Sequence, residues 1–153
     1  TDLAVRKVLA GAYLDLKNTK AAIAEYEDLR NRKIADPDII NNLAWLYHQT
    51  GDSRALGMAE EAYQLVPTNS RILDTLGWIL VRDGADLARG LKLLRDAHAR
   101  AANRPAIRYH LAVALSQQGQ NDDARRYLDE IIKTGGAGEI LKQAKDLRAK
   151  LGK

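Results

Sequence analysis

The chain has 153 residues, no cysteine, no phenylalanine, two tryptophans and a formal net charge of +4, from 24 Lys and Arg against 20 Asp and Glu. Its length is that of one domain of roughly 100–200 residues, and 46% hydrophobic with 29% charged residues is the composition of a folded chain rather than a disordered one. Without cysteine there is no disulfide framework, thiolate metal site or cysteine nucleophile. No apolar run approaches the ~20 residues that cross a bilayer, so direct membrane insertion by this segment is not expected.

Four helical hairpins are predicted in succession. The first, residues 3–36, carries Leu9, the small Ala10 and, three places on, Tyr13; a turn signal, Lys17-Asn18-Thr19, separates these from Ala22 on a second helix. The second, 37–69, opens on Asp36-Pro37 and repeats the pattern with Leu43, Ala44 and Tyr47, then Gly51-Asp52-Ser53, then Ala55, and is stopped by Pro67. The third, 70–104, has Leu76, Gly77 and Leu80, then Gly84-Ala85-Asp86, then Gly90. The fourth, 105–136, opens at Pro105 and has Leu111, Ala112 and Leu115, then Gly119-Gln120-Asn121-Asp122, then Ala124. The leucines step by 34, 33 and 35 residues, and the second small residues by 33, 35 and 34. A small residue beside a large one on a helix face lets a neighbouring helix approach closely. Glycine ends a helix at low steric cost, Asn, Asp, Ser or Thr caps the next, with Ser53 expected in that role, and proline suits a first turn. A last amphipathic helix over 138–151, with Ile140, Leu141, Ala144, Leu147 and Leu151 on one stripe, reads as a cap on the array.

A period of about 34 with this order of landmarks resembles the tetratricopeptide repeat (TPR). Leu43, Ala44, Tyr47, Gly51, Ala55, Ala59, Ala62 and Pro67 stand at signature places, whereas the usual tryptophan near the start of the first helix is replaced by Arg6, Ile40, Leu73 and Arg108. The resemblance implies an all-α, right-handed solenoid of about four repeats plus a capping helix in one domain, 1–153. The stretches Asn41–Asp52, Ala62–Pro67 and Ile72–Val81 are similar to the C-terminal repeats of bacterial TPR lipoproteins of PEP-CTERM/exosortase systems. That similarity implies a fragment of a longer, periplasm-facing, membrane-anchored protein linked to protein sorting or exopolysaccharide export.

In the family the first helix of each repeat lines a concave groove. The groove candidates are Asn41, Asn42, Trp45, His48 and Gln49 in the second repeat, Asp74, Thr75, Trp78 and Arg82 in the third, and Tyr109, His110 and Gln117 in the fourth. Trp45 and Trp78 each follow the repeat leucine by two residues, about 200° round the helix from it. They either share a groove floor, as anchors for an extended peptide, or pack between repeats.

No catalytic residue, metal site or cofactor is expected. His48, His98 and His110 lie far apart in sequence, with none of the spacing of a zinc set, and Gly135-Gly136-Ala137-Gly138 lacks the lysine of a phosphate loop. Arg89, Lys92, Arg95, Arg100, Arg104 and Arg108 form a basic stretch without interleaved aromatics, so nucleic acid is not expected. The reading is a non-catalytic scaffold with a protein or peptide partner. Its alternatives are a self-associating assembly module, that is a possible homo-oligomer, and a polyanion-binding surface.

Overall fold

The computed structural model describes residues 3–32, 35–135 and 138–152. Gly136 and Ala137 of the glycine-rich break lie outside them. The described residues form nine α-helices and no strand: α1 (Leu3–Asp15), α2 (Thr19–Asn31), α3 (Pro37–Thr50), α4 (Ala55–Leu65), α5 (Ser70–Arg82), α6 (Leu87–Arg100), α7 (Pro105–Gln117), α8 (Asn121–Lys133) and α9 (Gly138–Lys150). They fall into two compact units, Thr1–Thr68 and Asn69–Lys153, which divide at the junction of the second and third predicted hairpins.

In the first unit α1 pairs with α2 and α3 with α4, and α2 packs on α3. Local chemistry sets the helix ends. The Asn18 side chain accepts from the Ala21 amide, and Asp36 accepts from the Asp38 and Ile39 amides ahead of Pro37. Gly51, at φ 71°, closes α3 in the left-handed region that a side chain would strain. Ser53 is not the cap it was expected to be. Arg54 precedes α4 without a side-chain capping bond, and Asp52 accepts the Arg54 amide at 2.9 Å instead. The core joins Ala10, Ala22, Tyr26 and Leu29 to Ile40, Leu43, Ala44, Tyr47, Ala59 and Ala62.

The outer side of α1 differs. Val5 is 56% and Val8 72% exposed, whereas their counterparts one repeat later, Ile39 and Asn42, are buried and half-buried. Asn42 bonds Tyr26 of α2; α1 has no preceding helix among the described residues.

In the second unit α5 pairs with α6 and α7 with α8; α6 packs on α7, α8 on α9, and α7 also meets α5 and α9. Asn69 caps α5 and Asp86 caps α6 through their side chains. Leu76, Gly77, Leu80, Gly90, Leu111, Ala112, Leu115 and Ala124, all repeat landmarks, are buried. One core cluster joins Val81, Leu91, Leu94, Leu111, Ala114, Leu115 and Ala124. A second joins Ala112, Leu128, Ile131 and Ala144, so α9 covers the end of the fourth hairpin as a cap does. The Arg148 side chain ties α9 to α8 through Asp129 at 2.8 Å.

Candidate peptide-binding face

Each unit carries part of the predicted groove set. In the first, Trp45 is half-buried and its ring lies 6.3 Å from that of His48, tilted by 43°. Gln49 is exposed. Asn42 donates from Nδ2 to the Tyr26 hydroxyl at 2.9 Å, so it fastens α3 to α2. Asn41 is 3% exposed, and its Oδ1 has no hydrogen-bond partner among the described residues. The expected groove position of Asn41 is therefore an interior one.

In the second unit, α5 and α7 bring five of the predicted residues together. The His110 imidazole stacks on the Trp78 indole with centroids 4.1 Å apart and planes 21° from parallel. His110 Nδ1 lies 2.8 Å from an Asp74 carboxylate oxygen. Tyr109 flanks the indole at 6.3 Å, and the Arg82 guanidinium stands 5.4 Å from its centroid. Burial pushes the Tyr109 phenol up, Arg82 opposes this, and Asp146 and Glu139 of α9 add to it. His110 and Thr75 are each only 5% exposed. Both were expected to line the surface; His110 instead supports it from beneath, its buried polar atom satisfied by Asp74, and Thr75 is enclosed. Trp78 and Tyr109 remain half-exposed, and Arg82 and Gln117 are exposed.

A separate cleft of about 240 Å³ lies among α2, α3 and α4, lined by Glu27, Arg30, Asn31, Leu43, Tyr47, Arg54 and Met58. No sequence reasoning pointed to it. Its charges are matched internally. The Tyr47 hydroxyl donates to Glu27 at 2.6 Å, Arg54 reaches the same carboxylate at 2.9 Å while lying 4.1 Å from the Tyr47 ring centroid, and Arg30 grips Glu61. Burial, then Glu27, pushes the Tyr47 phenol far up. Hydrogen bonds from Arg54 hold Asp52 down at about 2. The arrangement braces three helices.

No group of three or more His, Asp or Glu that could hold a metal occurs among the described residues, and no helix there is long and apolar enough to cross a membrane. The basic stretch is partly engaged: Arg95 donates to Gln120 at 2.9 Å, and Arg108 donates to the Ala102 carbonyl at 2.6 Å.

His98 sits edge-on to Tyr127 at 5.1 Å, and its Nδ1 is buried without a partner among the described residues. Burial, then Arg108, lowers its pKa below the ordinary value, with Glu130 opposing. A depressed histidine leaves stability intact above the unfolded value of about 6.5 and removes it as pH falls towards the folded one. Urea midpoints should therefore decline as pH drops from neutral through 5, and His98→Phe, which keeps the ring against Tyr127, should flatten that decline. Parallel curves for the two proteins would show that His98 has no part in it.

Residues 82–151 match the family model of the tetratricopeptide repeat. No curated protein sequence matches the chain. A thermophilic TPR protein of Thermus thermophilus superposes with a TM-score of 0.83 at 18% identity, over 99% of this chain and 84% of that one. PilW, a widely conserved type IV pilus biogenesis factor, gives 0.77 at 19% over 98% and 71%. YrrB, a TPR protein with an unusual peptide-binding site, gives 0.70 at 16% over 94% and 74%. The fold is an all-α solenoid of TPR repeats. At these identities the likeness is one of fold.

Proposed function

We propose that this chain is a non-catalytic protein–protein interaction scaffold that holds an extended peptide or protein segment on the faces of its first-in-hairpin helices. The observation that carries the reading is Trp78: an indole stacked on the buried His110, flanked by Tyr109 and Arg82, and still partly open. A rigid aromatic with polar neighbours is the usual make-up of a binding hot spot. A side chain needed only for packing would be covered on both faces. Partners captured by the wild type should be lost from a Trp45→Ala/Trp78→Ala double variant. For one captured segment, Trp78→Ala should weaken affinity by about 1–3 kcal/mol with little change in unfolding temperature. Unfolding of the Trp78→Ala protein, with no change in affinity while folded, would return the indole to the core.

The sequence resemblance of the second and third hairpins supports a narrower setting. In it, this scaffold belongs to a lipid-anchored, periplasm-facing protein of PEP-CTERM/exosortase sorting or exopolysaccharide export. Capture of components of such a system supports that setting, and partners confined to the cytoplasm overturn it.

The exposed stripe on α1 favours a second reading, self-association, since Val5 and Val8 occupy places that are covered in the later repeats. Light scattering should then show dimers that Val8→Glu converts to monomers. A wild-type monomer at every concentration removes this reading.

A further inference from the structure

Charge is unevenly divided along the chain. Residues 69–153 hold 16 of the 24 basic and 10 of the 20 acidic residues, a formal +6, which leaves −2 on residues 1–68. In the second unit one cation stands beside the half-exposed indole. Arg82 follows Trp78 by one helical turn, is exposed, and forms no ion pair with a described residue; the contact it makes is with the Trp78 ring at 5.4 Å. The carboxylate nearest on the same stripe, Asp74, is already held by His110 at 2.8 Å, and its side chain is only 14% exposed. Tyr109, 6.3 Å from the same indole, feels the Arg82 charge and, after it, those of Asp146 and Glu139 of α9. Asp83, the C-cap residue, lies about 100° further round the helix from Arg82. The face therefore sets an α5 cation against a partly exposed indole, with Tyr109 of α7 beside it.

We propose that this face selects an acidic extended segment, seating a large apolar or aromatic side chain on Trp78 and an adjacent carboxylate on Arg82. The inference rests on the scaffold reading above and adds the chemistry of the ligand. A guanidinium beside an indole suits this pair of groups, since it donates to a carboxylate in a charge-assisted fork while its own face stays against the ring. The surplus of positive charge on residues 69–153 speeds the encounter with an acidic segment and repels a basic one.

Fluorescence anisotropy with three labelled nine-residue peptides in a Gly/Ser frame tests this: one with central Phe flanked by Glu, one with central Phe flanked by Lys, and one with Glu around a central Ala. The Glu–Phe peptide should bind at least tenfold tighter than either other peptide at low salt. Arg82→Glu should cost tenfold or more, and Trp78→Ala should reduce the Glu–Phe peptide to the level of the Glu–Ala one. Arg100→Glu, an equal change of net charge at another exposed position, should cost less than threefold. If the Lys–Phe peptide binds as well or better while Trp78→Ala still weakens it, the charge assignment falls and the scaffold reading stands. If Arg100→Glu costs as much as Arg82→Glu, the contact with Arg82 falls and only net charge attracts. If no peptide depends on Trp78, both the assignment and the groove reading of this face fail.

Discussion

Gly90→Val should lower the urea midpoint more than any exposed substitution, through a loss of about 2–3 kcal/mol. A Cβ at Gly90 would stand 2.7 Å from Val81 Cγ2 and 2.9 Å from the Gly77 carbonyl oxygen; one at Gly77 would stand 2.9 Å from Leu94 Cγ and 3.0 Å from the Gly90 carbonyl oxygen. A methyl group can rotate aside, but a carbonyl moves only with its helix, so α5 and α6 would have to separate. Against this, replacing a helical glycine gains at most about 1 kcal/mol of propensity, and less for a β-branched residue. Overpacking wins. Gly57→Ala on α4, where an added Cβ meets nothing within 4 Å, should instead gain about 0.5–1 kcal/mol. Equal stability of Gly90→Val and wild type would mean that α5 and α6 do not approach so closely.

Leu111→Ala should cost about 2–5 kcal/mol, the range for emptying a fully buried leucine site. Leu111 is 1% exposed and belongs to the cluster that joins α5, α6, α7 and α8, so no single helix can move to close the void. It also follows Tyr109 and His110 on α7. Affinity at the Trp78 face should therefore fall in the variant even at temperatures where it remains folded, as the His110–Asp74 contact loosens. Chemical denaturation gives the first effect and anisotropy on the folded variant the second. A loss below about 1 kcal/mol would mean that the site collapses readily around alanine, against the shared burial seen here.

The helical hairpins were legible because their determinants are local. Leu43, Leu76 and Leu111, each with its small neighbour, recur at the period of the stack and are buried as expected, and Asn18, Asp36, Asn69 and Asp86 cap helices by bonds within three residues. Ser53 shows the limit of that logic. A residue with cap chemistry lost the role because α4 starts one residue later, with Arg54 at the place before it and no side-chain capping bond. The candidate face was legible in part: Trp78, Arg82, Tyr109 and Gln117 keep exposed surface, whereas Asn41, Thr75 and His110 are enclosed. On a helix of 3.6 residues per turn, neighbouring positions differ by about 100°, so a sequence offset places a side chain near a face without deciding whether the next helix covers it.

The amino-acid sequence by itself therefore determined the order and hairpin pairing of the helices, since apolar periodicity, caps and turn glycines act over a few residues. The tertiary structure alone decided which polar side chains are enclosed and that both indoles are partly covered. Those outcomes depend on contacts such as His110 with Asp74, 36 residues apart, and two groups that distant meet only when the stacking of α5 on α7 has set their separation and the access of water between them.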